Sequence, residues 1–213
     1  MPWLDLEQNS DEWFQARLGK ATASKFGTIM ANLGKPFGKP ALDYAKELAL
    51  EIVTGEMDET KQMKLWQFER GHTFEPVAKA RYEKETFETV TNGGFYTTKG
   101  GRVGDSNDGN VGEKGCIEIK CVVPNTQWDR IENGGYDPGY KWQIHGHIWI
   151  GQKDWCDFIS FCPEMNYENQ ILITRVYRDE GIIKQMVERF GHFFKKVDYY
   201  VELLLKERKI INK

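Results

Sequence analysis

No stretch of the chain approaches the ~18 consecutive apolar residues of a membrane-spanning helix. The opening Met1-Pro2-Trp3-Leu4-Asp5 carries no basic residues ahead of an apolar run, so no secretory signal is expected and the cytoplasm is the expected compartment. Cysteine is scarce. The four present, Cys116, Cys121, Cys156 and Cys162, are spaced for neither a zinc pair nor a disulfide framework. They also lack the close spacing of an iron–sulfur set, and buried free thiols are expected. Internal repeats, low-complexity tracts and linkers are missing too, so residues 1–213 read as one domain, long enough to bury a real core. Acidic residues are absent from Trp13 to Leu42, where Arg17, Lys20, Lys25, Lys35 and Lys39 stand in a chain of net charge −3. A local basic surface on an acidic body suits contact with a polyanion; chance clustering among 29 basic residues is the other reading.

What is present is a change of period along the chain. Ser10 with Asp11 and Glu12 starts a helix that Gly19 stops, and a second short helix begins near Thr22 or Ser24, either of which can cap it. Glycine and proline make Asn32–Pro40 a loop, and apolar residues at helical spacing follow from Ala41 to Val53, ending at Gly55. Another helix spans about Leu65 to Thr86. Strands are expected over Thr89–Thr97, Gly101–Asp105 and Cys116–Val123, then helices over Asn125–Glu132 and Tyr140–Ile150. Strands return at Trp155–Cys162 and Gln170–Tyr177. The tail from Glu180 to about Lys209 is amphipathic, with Ile182, Ile183, Met186, Val187, Phe190, Phe193, Phe194 and Val197 on its apolar side. The expected fold class is α/β, a central mixed sheet flanked by helices.

The stretch richest in chemistry runs from Asp108 to Lys120: one carboxylate, a polar turn, then a strand carrying Glu118-Ile119-Lys120. Alternation puts Glu118 and Lys120 on one face and Ile117 and Ile119 in a core. If the turn brings Asp108 beside Glu118, two carboxylates converge next to a lysine. Such a pair can hold a hard divalent cation, and the lysine can orient a water or offset developing negative charge. Those are the requirements for hydrolysing a phosphodiester; a solvated strand face is the bland alternative.

Four segments carry a resemblance. They are Trp13-Phe14-Gln15-Ala16-Arg17-Leu18-Gly19-Lys20-Ala21-Thr22-Ala23-Ser24, then Gly71-His72-Thr73-Phe74-Glu75, then Ser106-Asn107-Asp108-Gly109 with Ile117 to Cys121, and finally Gln143-Ile144-His145-Gly146-His147-Ile148-Trp149. In this order they resemble the phage lambda exonuclease family, the YqaJ-type viral recombinases within the PD-(D/E)XK nucleases. The match covers about residues 10 to 165. The resemblance implies a restriction-endonuclease-like core and a Mg²⁺-dependent, processive 5′→3′ exonuclease on double-stranded DNA ends, with Mn²⁺ as a substitute and one or two ions per site. It implies a ring-shaped homotrimer and a single-strand annealing partner protein, in a bacterial host.

Roles follow from that resemblance. Asp108 and Glu118 are the expected metal ligands, with the backbone carbonyl of Ile119 a third; Lys120 positions the water and steadies the phosphate. Asp105 competes with Asp108, and the family's S-x-D-G pattern favours Asp108. Glu75 and Gln143 enter as catalytic residues only through the family pattern. Arg17, Ser24 and Ser106 are expected to seat a 5′-terminal phosphate, a guanidinium being matched to phosphate by two parallel hydrogen bonds. Lys35 and Lys39 either grip duplex backbone or belong to a solvated loop. His145 and His147 diverge by ~200° on a helix and cannot share an ion there. Gln143 and His147 share a face, which could bring His147 towards the substrate, although a satisfied structural histidine is the expectation for His145 and His147 alike. The family has a second glutamine where His145 stands. Two other functions stay open: an endonuclease of the same fold, or a DNA-binding module without catalysis.

Overall fold

The computed structural model describes residues 2–57 and 65–206, with backbone alone for 65–68. Helix α1 (Asp11–Arg17) begins as its residues dictate: the Ser10 hydroxyl accepts from the Trp13 N–H at 3.2 Å, and Asp11 and Glu12 occupy the first turn. The short helix expected from Thr22 or Ser24 is a 3₁₀ turn, Ala23–Lys25, running into α2 (Phe26–Met30), and neither hydroxyl caps it. Burial of Ala23, Phe26, Ile29 and Met30 holds this segment instead. Helix α3 (Lys39–Thr54) starts two residues before its apolar period, with Pro40 in the first turn, and stops at Gly55. Helix α4 (Leu65–Thr86) matches expectation and contains Pro76.

The nine strands among the described residues are β1 (Trp3–Leu4), β2 (Ala21–Thr22), β3 (Val90–Thr91), β4 (Phe95–Thr97), β5 (Val103–Asp105), β6 (Gly109–Val111), β7 (Gly115–Cys121), β8 (Trp155–Phe161) and β9 (Ile171–Tyr177). They form two mixed sheets, β1-β4-β5-β2 and β3-β6-β7-β8-β9, where one central sheet was expected. The division arises at Asn92–Gly94, inside what reads as a single strand. A Cβ on Gly93 would lie 2.0 Å from the Asn107 carbonyl oxygen, and Gly94 has φ +63°. The chain therefore turns there, giving β3 to one sheet and β4 to the other. Residues 109–111, read as part of a turn, are strand β6, which forms a hairpin with β7 around Gly112.

Strands β7 and β8 are parallel, so the connection between them must cross over; α5 (Pro124–Asn133) and α6 (Lys141–Ile150) supply it. Strand β7 is covered on both faces. Ile117 and Ile119 pack with Ala78 and Tyr82 of α4, while Cys116 packs with Ile144 and Ile148 of α6. Alternation then turns Glu118 towards α6.

Helix α7 (Glu180–Leu205), capped by the Asp179 carboxylate on the Ile182 N–H at 3.0 Å, lays Ile183, Met186, Phe190, Phe193 and Val197 against α2 and α3. Val187, expected on that face, is 49% exposed because it lies about 80° around the helix from the stripe's centre. The expected extension to Lys209 falls outside the described residues. Buried Arg189 donates to the carbonyls of Ile29, Ala31 and Lys35, which fastens the following loop to α7. All four cysteines are free, three of them buried and Cys121 half-buried. Among the described residues no helix is long and apolar enough to cross a membrane.

Candidate active site

Strand β6 pairs antiparallel with β7, Gly109 opposite Ile117, so Asp108 falls one step further, across from Glu118. The Asp108 N–H donates to the Ile117 carbonyl at 3.1 Å, and its Oδ2 accepts from the Ile119 N–H at 2.6 Å. The N–H and C=O of one strand residue leave on the same edge, so the Ile119 carbonyl points to the Asp108 side as well. The juxtaposition expected from the sequence is therefore present.

Glu118 is buried and surrounded by donors. Lys120, next on its face, makes an ion pair with Oε1, and Gln143 Nε2 donates to the same oxygen at 2.6 Å. His147 Nε2 lies 2.9 Å from Oε2, close enough for charge pairing but poorly aligned for a hydrogen bond. Burial alone would lift the Glu118 carboxyl; Lys120 and His147 outweigh it and hold the pKa at about 2. Lys120 shows the converse. Burial disfavours its charge, yet Glu118 and Asp108 keep its pKa above the ordinary lysine value.

Glu75 comes from α4, half-buried. Burial raises its pKa, Lys79 opposes, and the Glu118 charge adds to the rise. Burial followed by Glu118 and Glu75 pushes Asp108 well above the usual carboxylate range. Three carboxylates thus lie within one another's fields, a concentration of negative charge with Lys120 as a nearby cation. Among the described residues no group of three or more His, Cys, Asp and Glu side chains is disposed to hold a metal ion. Mg²⁺ does not require one: it takes one or two carboxylates and keeps its other positions for water and phosphate. Asp108, Glu118 and the Ile119 carbonyl are hard oxygen donors of that kind, so the residues present fit the ion.

Asp105 does not join Asp108. It is fully buried on β5, and its Oδ1 lies 2.6 Å from His147 Nδ1. His147 therefore stands between two carboxylates. Burial lowers the imidazole pKa, but Asp105 and Glu118 prevail and hold it well above the ordinary histidine value. The i, i+4 relation of Gln143 and His147 was the sequence signal: both reach Glu118 from α6. His145, on another face, is buried with Nδ1 unpartnered among the described residues, and burial depresses its pKa.

The second group of residues lies around α1. The Arg17 guanidinium sits 4.0 Å from the Trp13 ring centroid and donates from Nη2 to Thr22 Oγ1 at 3.3 Å. Burial lowers its pKa, against the charges of Tyr44, Asp105 and Glu51. Trp13 Nε1 donates to the Ser106 hydroxyl at 2.9 Å, which in turn donates to the Gly94 carbonyl at 2.9 Å. Arg17 and Ser106 are thus joined through Trp13, a residue that spacing alone did not single out. Ser24 is exposed in the 3₁₀ turn, its hydroxyl without a partner among the described residues. Lys35 is exposed, and Lys39 pairs with Asp43.

Residues 12–154 match the model of the YqaJ-like viral recombinase domain. The alkaline exonuclease LHK-Exo from Laribacter hongkongensis superposes with a TM-score of 0.82 at 32% identity, over 92% of this chain and 96% of that one. The chain belongs to the YqaJ-like viral recombinase family. The same exonuclease in complex with dAMP gives 0.81 at 32% identity over the same shares. A phage-related exonuclease from Haemophilus somnus 129PT gives 0.66 at 15% identity, over 87% of this chain and 96% of that one, which shows the fold alone. No curated protein matches the chain. The fold is the mixed α/β, restriction-endonuclease-like one. The segment matched to the family holds Arg17, Glu75, Asp108, Glu118, Lys120, Gln143 and His147, whereas α7 lies beyond it.

Proposed function

We propose that the protein is a 5′→3′ exonuclease that hydrolyses double-stranded DNA from its ends, using Mg²⁺ with Mn²⁺ as a substitute, one or two ions per site. The observation that carries this reading is the convergence of Asp108, Glu118 and Lys120 at the β6–β7 hairpin. Membership of the family supports it, as does the 32% identity to a protein named an alkaline exonuclease and solved with a mononucleotide.

Asp108, Glu118 and the Ile119 carbonyl would hold the ion. When bound, it would polarise the scissile phosphate and make a water a better nucleophile at neutral pH. Lys120 orients that water and offsets charge on the pentacovalent phosphate, since its ammonium lies on the same strand face as Glu118. Glu75 steadies the attacking water from the α4 side. Gln143 fixes Glu118 Oε1. Arg17 seats the 5′-terminal phosphate with its remaining N–H donors, helped by the exposed Ser24 hydroxyl and by Ser106. Lys35 and Lys39 contact the duplex backbone without reading sequence. The product strand with a 3′ end passes to a single-strand annealing recombinase, in phage-type recombination inside a bacterial host, and the active assembly is a ring-shaped homotrimer.

The test uses linear duplex DNA labelled separately at each end, with and without Mg²⁺, beside the same plasmid as a closed circle. Mg²⁺-dependent release from 5′ ends with the circle intact is expected. Cutting of the circle would move the assignment to an endonuclease, and no cleavage of either would leave a DNA-binding module.

A further inference from the structure

Glu118 has two oxygens, and they are held differently. Lys120 and Gln143 both address Oε1, while among the described residues only His147 addresses Oε2. His147 is itself fixed from behind by Asp105, at 2.6 Å on Nδ1. The helix that carries it is pressed close to its neighbour: a Cβ on Gly146 would come within 2.6 Å of the Phe26 ring and 3.1 Å of Ala23. Gly146 thus lets α6 pack tightly against α2, which fixes the helix that carries His147. The side chains of His147 and Asp105 are 1% and 0% exposed, so neither can touch DNA. Any influence they exert on the reaction must pass through Glu118.

We propose that His147, braced by Asp105, is a positioning residue that sets the orientation of the Glu118 carboxylate for cation binding. The inference rests on the reading of Glu118 as a metal ligand. Mg²⁺ tolerates little departure from octahedral geometry, so the direction of a ligating carboxylate matters as much as its presence. A group that orients a ligand from behind commonly changes metal affinity or activity by about 10–100-fold when removed. Asp105 also contributes, after Tyr44, to the field that favours the Arg17 charge.

The experiment is a calorimetric titration of the DNA-free protein with MgCl₂ and MnCl₂, with steady-state cleavage measured across a Mg²⁺ series. His147→Asn keeps an amide near Asp105 but is too short for Glu118, whereas His147→Gln can still reach Oε2. We expect His147→Asn to weaken ion binding by about 10–100-fold, with kcat recovered at saturating Mg²⁺ and KM for DNA unchanged. His147→Gln should lie close to wild type and Asp105→Asn between the two. Equal ion affinity in wild type and His147→Asn overturns the inference while leaving the metal site intact. An activity loss that no Mg²⁺ concentration repairs, with unaltered ion binding, shows a merely structural role and overturns it too. Absence of ion binding by the wild type would remove the metal-site reading itself, a separate failure. If His147→Asn does not fold, as judged by circular dichroism, Asp105→Asn decides by the same criteria.

Discussion

The hairpin site and the Arg17 seat are built in opposite ways. At the hairpin, Lys120 and Gln143 both hold Glu118 Oε1, the His147 ring lies 2.9 Å from Oε2, and Asp108 is tied to the Ile119 N–H. The groups come from three separate parts of the chain and are buried or half-buried. At the seat, the Arg17 side chain makes a single hydrogen bond among the described residues, to Thr22 at 3.3 Å, and rests on the Trp13 ring. A guanidinium has five N–H donors; among the described residues most of these are left for a partner. Ser24 is likewise unengaged. A place that must keep fixed charges in register is over-determined, and a place that must admit a ligand keeps its donors in hand.

The largest effect expected from this contrast is at Lys120. Lys120→Ala removes a charge from the reacting centre without removing a carboxylate, and kcat should fall by about 10²–10³-fold while DNA binding persists. Gel-shift binding beside cleavage kinetics checks it. Near-normal kcat would take Lys120 out of the chemistry and leave it as a counter-ion to Glu118.

Next is Arg17→Ala. A hydrogen-bonded charge on a phosphate is worth about 1.5–3 kcal/mol, so the rate ratio of 5′-phosphorylated to 5′-hydroxyl ends should fall about 10–100-fold. The effect should appear in that ratio, with internal chemistry intact. An unchanged ratio would break the comparison, because the open donors of Arg17 would then serve no terminal phosphate.

How far the sequence discloses this arrangement depends on where the contacts come from. Asp108, Glu118 and Lys120 are legible because strand alternation and a hairpin are local rules, and the helices from Ala41, Leu65, Tyr140 and Glu180 obey their periods. The two-sheet division is not legible, since it depends on Gly93 meeting Asn107, a contact between distant positions. Asp105 resisted for the same reason. Composition could suggest it as an alternative to Asp108, but only the packing of α6 against β5 directs it to His147. Ser24 shows the limit of local rules in the other direction: a good capping residue sits inside a turn that packing, not capping, holds.

A control outside both regions sharpens the contrast. Tyr82 on α4 is buried, and its hydroxyl donates to Asp157 Oδ2 at 2.7 Å, where Arg175 also pairs with the same carboxylate. Tyr82→Phe leaves Asp157 with Arg175 as its partner, so the loss should be about 1–3 kcal/mol, a fall in Tm of roughly 2–10 °C. Specific activity of the folded protein should be unchanged. If cleavage falls in step with Tm, the hairpin site depends on the whole sheet and is less self-contained than its local hydrogen bonds suggest.

The smallest effect concerns the tether of α4 to the end of β7. Arg70 donates to the Val122 carbonyl at 2.6 Å and pairs with Glu164 at 2.7 Å; it stands five residues before Glu75. Hydrogen bonding to Arg70 holds the Glu164 carboxyl at about 2. A depressed folded-state pKa gives stability that is complete above the unfolded value, near 4.5, and lost as pH falls towards 2. The Glu164 side chain is 45% exposed, so solvent screens the pair and the contribution is small, about 0.2–1 kcal/mol. Denaturant unfolding should therefore find Glu164→Gln less stable by that amount at pH 7, with the two curves converging below about pH 4.5. Cleavage should be unaffected, because the Arg70–Val122 bond still holds α4 against the strand that carries Glu118 and Lys120. A drop in kcat for this variant would mean that Glu75 is held by a surface ion pair, and the contrast between a rigid hairpin site and an open seat would no longer extend to α4.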